Sequence, residues 1–192
     1  RRNAHENQPH TGYQIINEWF EKCEGFIHTT NTDGLHLMSG CDRNRILEVH
    51  GSMWRLQCLD ICTHQFWDDV SVPLCNLDSQ TMRASNFPSC IQCRGIARPH
   101  ILMFGDGEYT GHPEQEINFK KFLQEPVDLA ILVGSSGAVP TNDYIALHLI
   151  KGGAVVININ PDTSSNQIVN TDLFIEMKSK DAFLELNKIA FG

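Results

Sequence analysis

Four of the seven cysteines fall into two short-spaced pairs, Cys58 with Cys62 and Cys90 with Cys93. Two pairs of soft thiolates suit a tetrahedral zinc ion, because each short loop presents two ligands to one metal. The second pair has the usual two-residue spacing. The first is separated by three residues and the loop between the pairs is long, so Cys75 or His64 stands as an alternative ligand. A zinc ligated wholly by protein holds a module together and does no chemistry. An odd cysteine count with this pairing favours thiolate ligation in a reducing compartment, cytoplasmic or nuclear, over a disulfide framework. Cys23 and Cys41 read as core residues.

A second group of residues has the polarity of a ligand site. Thr29-Thr30-Asn31-Thr32-Asp33-Gly34, Glu48-Val49-His50-Gly51, Gly134-Ser135-Ser136-Gly137 and Asn158-Ile159-Asn160 each follow an apolar run. In open parallel sheets, ligands bind beyond the carboxyl ends of strands. Taken singly, each loop reads as a turn built from Gly, Asn and Ser. Together the four loops have the capacity to enclose one nucleotide.

These loops must be positioned by alternating strands and helices. Ile15, Ile16, Trp19 and Phe20 predict a helix over Tyr13–Cys23, and the GFIHTTN stretch predicts a strand running into a loop. DLAILVG, beginning at Asp128, predicts an apolar strand. A helix then runs to Lys151, capped by Asn142 and stopped by Gly152 and Gly153, and AVVININ follows as another strand. LFIEM adds a strand, and Asp181–Ile189 a closing helix. The fold class is α/β, a Rossmann-like parallel sheet flanked by helices, with a small inserted zinc-binding module. Residues 1–52 and 99–192 form the sheet domain, and the aperiodic residues 53–98 form the insert. At 192 residues and 41% hydrophobic content, one core plus an insert is expected. The formal charge of −8 argues against direct nucleic-acid binding. No apolar run reaches membrane-spanning length, and the opening RRNAHENQPH lacks the apolar stretch of a signal peptide.

Five motifs in order resemble the sirtuin family. Residues 29–36, Thr-Thr-Asn-Thr-Asp-Gly-Leu-His, are similar to its T-Q-N-x-D-G-L-H signature, and Glu48–Ser52 to its [LE]-x-H-G motif, with Cys58 eight residues beyond His50. Arg98–Asp106 resembles R-P-x-[VI]-x-x-F-G-[ED], Val133–Ser136 with Val139-Pro140 resembles V-G-[TS]-S-x-x-V-x-P, and Ile159-Asn160 matches the late I-N. The resemblance implies NAD-dependent removal of acyl groups from lysine in proteins or peptides, releasing nicotinamide and O-acyl-ADP-ribose. It implies that His50 is the base, drawing a proton through the ribose hydroxyls, a task that suits an imidazole titrating near neutrality. By itself, His50 reads as a hydrogen-bonded structural histidine. Asn31 matches the residue that holds the nicotinamide ribose, Asp33 the acceptor for the nicotinamide carboxamide, Ser135 and Ser136 a hydroxyl pair near ribose and phosphates, and Asn160 the adenosine-ribose contact. The bland reading of Asn31 and Asp33 is a loop cap. Ile101 and Phe104 resemble apolar walls of an acyl-lysine tunnel, and Gly105 begins a strand that pairs with substrate backbone.

The chain also departs from the family pattern. Thr30 stands where the family carries Gln, which shortens or removes a contact in the cofactor site. Tyr13 stands where the family carries His, and Lys178–Ala182 diverges from the adenine-binding end. The family's Gly-Ala-Gly loop and its Asp-Phe-Arg stretch have no counterpart in these residues, so the sequence is read as starting downstream of them and as binding NAD poorly. Two other readings stay open: transfer of ADP-ribose to protein or water, and a non-catalytic binding module.

Overall fold

The computed structural model describes residues 1, 5–72, 74–164 and 169–192. Its strands are β1 (Ile27–Thr29), β2 (Ile46–Glu48), β3 (Gly51–Cys58), β4 (Phe66–Asp68), β5 (Ala97–Ile101), β6 (Leu129–Val133), β7 (Val155–Ile159) and β8 (Leu173–Ile175). Its helices are α1 (Thr11–Phe20), the single turn α2 (Leu35–Met38), α3 (Pro113–Phe122), α4 (Thr141–Lys151) and α5 (Ser179–Phe191).

Parallel pairing appears in two separate sheets. β1 pairs with β2, Ile27 opposite Ile46, and β7 pairs with β6 on one side and β8 on the other. Side chains alternate across a strand, and both faces of the larger sheet are covered. Ile131, Ile157 and Ile159 pack with Ile15 of α1 and Phe183 of α5, whereas Ala130, Leu132 and Val156 pack with Ala146 and Ile150 of α4. Trp19 Nε1 donates to Asn187 Oδ1 at 2.7 Å, which ties α1 to α5. The third sheet is antiparallel, in the order β4-β3-β5, and carries the cysteine-rich excursion between β3 and β5.

The predicted helices and strands are present with shifted ends. α1 begins at Thr11 because His10 Nδ1 accepts the Gly12 N–H at 3.0 Å. α5 begins at Ser179, two residues ahead of the expected Asp181. Asn142 does not cap α4: Pro140 occupies the cap position without a side-chain bond, and the Asn142 amide turns toward β1 instead. Cys41 is buried, and burial pushes its thiol up to about 11. Cys23, expected in the core, is exposed just past the end of α1, its thiol donating to the Trp19 carbonyl at 3.1 Å.

Candidate functional site

β1 ends at Thr29, and its hydroxyl oxygen accepts the Asn31 N–H at 3.1 Å, which bends the chain into the polar loop. Asp33 Oδ1 accepts the Leu35 N–H at 3.0 Å and starts α2. The loop is clamped from β3: Trp54 Nε1 donates to the Asp33 carbonyl at 2.6 Å and Met53 N–H to the Thr32 carbonyl at 2.9 Å. Gly34 permits this approach, with φ of 75° and space for a Cβ only 2.6 Å from Trp54 Cδ1.

His50 sits half-buried in the turn between β2 and β3, and its carbonyl accepts the Leu102 N–H at 3.0 Å. The next residue, Gly51, has φ of 79°, and a Cβ there would collide with the His100 carbonyl oxygen. Beneath this turn Arg55 Nη2 donates to Glu48 Oε2 at 2.8 Å, with only 3% and 1% of the two side chains exposed. Burial pushes the Glu48 carboxyl up and Arg55 pulls it back. Gln115 Oε1 accepts the Glu48 N–H at 3.0 Å, linking α3 to the same turn. His100 stacks between Phe66 and Tyr109, with ring centroids 4.3 and 4.9 Å away, and burial lowers its pKa to about 4. A neutral His100 donates from Nε2 to the Thr110 carbonyl at 2.6 Å.

The third and fourth loops meet each other. Asn160 Nδ2 donates to the Ser135 carbonyl at 3.0 Å, Ser135 Oγ lies 3.3 Å from Asp143 Oδ1, and Ser136 Oγ accepts the Ala138 N–H at 3.3 Å.

A cleft of about 1740 Å³ lies between the two parallel sheets and brings together Thr30, Asn31, His50, Ser135 and Ser136 at its wall. Asp33 and Asn160 stand behind that wall. Asp33 is committed to the loop through Leu35 and Trp54, and Asn160 is 6% exposed and supports Ser135. Two residues that the motifs did not single out also line the cleft. His28 Nδ1 meets Asn142 Oδ1 at 2.8 Å, and Asn142 Nδ2 reaches Thr30 Oγ1 at 3.5 Å. Burial lowers the His28 pKa. The signal for His28 was available: it is the one ionisable side chain in an otherwise apolar or hydroxylic strand, GFIHTT.

The expected substrate-contacting residues lie apart from that wall. Ile101 closes β5 opposite Gly51. Phe104 is 95% exposed and encloses nothing, and Gly105 lies in a turn with φ of 73° and begins no strand. Arg98 holds this turn, donating to Asp106 Oδ1 at 3.0 Å and to the Ile101 carbonyl at 3.3 Å.

In the antiparallel excursion the sulfurs of Cys58, Cys62, Cys90 and Cys93 all lie within 4.8 Å of one another. Cys58 and Cys93 are 3.7 Å apart, and Cys62 and Cys90 3.6 Å. Backbone N–H groups of Cys93 and Gln92 lower the Cys90 thiol to about 6, whereas burial and the neighbouring thiols push Cys62 up. Four mutually adjacent thiols fit tetrahedral zinc, and neither Cys75 nor His64 belongs to the cluster.

Residues 1–141 match the model of the Sir2 family. A curated NAD-dependent protein deacylase of Aeropyrum pernix is 32% identical over 167 residues, 86% of this chain and 60% of the relative. One from Aquifex aeolicus is 27% identical over 156 residues, 81% and 58% of the two chains. The chain thus spans somewhat under two thirds of the length of these relatives. Among solved structures, a Sir2 homologue–NAD complex aligns with a TM-score of 0.75 at 22% identity, covering 95% of this chain and 64% of the other. A Sir2–p53 peptide–NAD+ complex aligns at 0.71 and 19% identity, covering 96% and 71%. The structural likeness shows the same fold, and with the family match over most of its length the chain belongs to the Sir2 family.

Proposed function

We propose that the protein is an NAD-dependent protein lysine deacylase that releases nicotinamide and O-acyl-ADP-ribose. The observation that carries this reading is the convergence of Thr30, Asn31, His50, Ser135 and Ser136 on one cleft, at the carboxyl ends of parallel strands. NAD supplies the electrophilic ribose carbon and the nicotinamide leaving group. Within that reading His50 accepts a proton relayed from the ribose hydroxyls, and the turn that carries it is held by the left-handed Gly51 and the buried Glu48–Arg55 pair. Asn31 orients the reacting ribose, Asp33 accepts from the carboxamide, and Thr30, Ser135, Ser136 and Asn160 hold the remaining ribose and phosphate groups. Ile101, Phe104 and Gly105 receive the acylated lysine and its flanking backbone, and the exposed Phe104 is an apolar surface available for that contact.

Cys58, Cys62, Cys90 and Cys93 are assigned as the ligands of a structural zinc. Residues 53–98 then form its module, and 1–52 with 99–192 the NAD-binding domain. No described helix is long and apolar enough to cross a membrane. Reduced thiols suit a cytoplasmic or nuclear protein.

The test is nicotinamide release from NAD in the presence of an acyl-lysine peptide. Release that requires the peptide supports the deacylase. Release without peptide would replace it with ADP-ribosyl transfer or NAD hydrolysis, and no release would leave a binding module.

A further inference from the structure

One charged side chain outside the cleft is buried for no reason visible in its own segment. The Arg1 side chain, in the polar stretch RRNAHENQPH, is only 5% exposed. A charge taken this far out of water is retained only where hydrogen bonds and an opposite charge offset its desolvation, and the residues around β3 and β4 supply both. Arg1 Nε donates to the Met53 carbonyl, and Nη1 donates to Asp69 Oδ1 and to the Ser71 carbonyl, the last at 3.1 Å. The Trp54 ring forms the floor, its centroid 5.6 Å from Arg1 Cζ. This cradle is itself braced: the Asp69 N–H donates to the Trp54 carbonyl at 2.8 Å, and Asp69 Oδ1 also accepts the Ser71 N–H at 3.0 Å. Acceptors in three directions suit the planar fork of a guanidinium and not the point charge of an ammonium.

The two residues that Arg1 touches on β3 are the two that clamp the 30–34 loop. Met53 offers its carbonyl to Arg1 and its N–H to the Thr32 carbonyl, while Trp54 lies against Arg1 and donates its indole N–H to the Asp33 carbonyl. They need support from outside the sheet. The β3–β5 ladder passes from Ser52 opposite His100 to Leu56 opposite Pro99, so among the described residues Met53, Trp54 and Arg55 stand outside it, in an irregularity of the strand. Such bulges re-aim side chains and are held by whatever packs on them.

We infer that Arg1 is a positioning residue: its guanidinium, seated in the cradle of Trp54, Asp69 and the Met53 and Ser71 carbonyls, holds the irregular part of β3 in the shape that presents the 30–34 loop to NAD. The contribution to NAD binding rests on the proposed function, which places Asn31 and Asp33 at the cofactor. The hold on the loop does not.

Hydrogen exchange and nicotinamide release by Arg1→Ala test it, each alone and with ethylguanidinium or ethylammonium below any concentration that perturbs the unsubstituted protein. Exchange at Met53 and Leu35, whose N–H groups bond to the loop, should quicken about tenfold, the loss expected from one charge-assisted hydrogen bond, with the amides of β6 and β7 unchanged. KM for NAD should rise by a similar factor with kcat nearly constant, because the loop is displaced and the reacting groups are intact. Ethylguanidinium should reverse both effects and ethylammonium neither. Asp69→Asn, which keeps the shape of the cradle and removes its charge, should loosen the same two amides. Unchanged exchange in Arg1→Ala, equal restoration by ethylammonium, or a loosened loop with unaltered KM would each overturn the inference. Absence of nicotinamide release from the unsubstituted protein would instead refute the proposed function, and the exchange measurements would then decide alone whether Arg1 sets the loop.

Discussion

The cysteine excursion and the parallel sheets are held together in opposite ways. Among the described residues from 59 to 96 only Cys90 is buried, while Val70, Leu77, Met82, Phe87 and Ile91 are exposed. All the non-glycine residues with positive φ among the described residues, Ile61, Met82 and Arg94, also lie there. A segment with almost no apolar core and strained turns needs cross-linking, and its four sulfurs are placed to provide it through a metal. The larger parallel sheet instead rests on two apolar clusters, one on each face. The comparison teaches that the two regions draw their stability from different sources, clustered thiols in one and apolar packing in the other. His50 sits where they meet, between β2 of one and β3 of the other.

Metal removal should separate the two regions most sharply. Chelation, or Cys90→Ser, should release zinc and abolish exchange protection across residues 59–96, since a structural zinc contributes on the order of 10 kcal/mol. Protection of β6, β7 and β8 should remain, and joint loss would mean that the regions are not independent. Next in size is the buried ion pair at their junction. Arg55→Met should cost about 3–5 kcal/mol in urea unfolding, because Glu48 is left charged and buried, and Glu48→Leu in the same chain should recover most of it.

Gly51→Ala should cost about 3 kcal/mol, combining a left-handed φ with a backbone collision at the β3–β5 edge. Acid should weaken the protein through His36 and His100, both lowered by burial from 6.5 to about 4. Between those values the unfolded chain binds more protons than the folded one. Their stabilising contribution is therefore complete above pH 6.5 and lost as pH falls toward 4, about 2 kcal/mol for each histidine by pH 5 in a thermal or urea titration. Trp54→Phe, which removes the donor to the Asp33 carbonyl, should be the smallest change, about 1 kcal/mol, and should loosen the 30–34 loop without disturbing β6–β8.

Much of this was legible in the sequence, for identifiable reasons. The strand DLAILVG and the helix ending at Gly152-Gly153 carry strong local signals, continuous apolar character and a glycine stop, and the structure follows them. The cysteine pairs announced their cluster because thiolate spacing is itself the constraint. What escaped depends on contacts between distant segments. Asn142 looked like a helix cap from its position, yet His28, 114 residues away, offers its amide a partner at 2.8 Å. The Glu48–Arg55 pair, seven residues apart across a turn, has no signature in periodicity. The exposure of Phe104 was equally hidden, since its motif gives residue type and not the turn held by Arg98 and Asp106.

The central claim is that the turn joining the two regions presents the reacting base. It is tested most directly by comparing peptide-dependent nicotinamide release by the protein and by His50→Ala, with the fold checked by circular dichroism and zinc content. The account predicts an unchanged fold and turnover lower by roughly 10²-fold or more, the usual contribution of a positioned base. Equal release by the two proteins would contradict it.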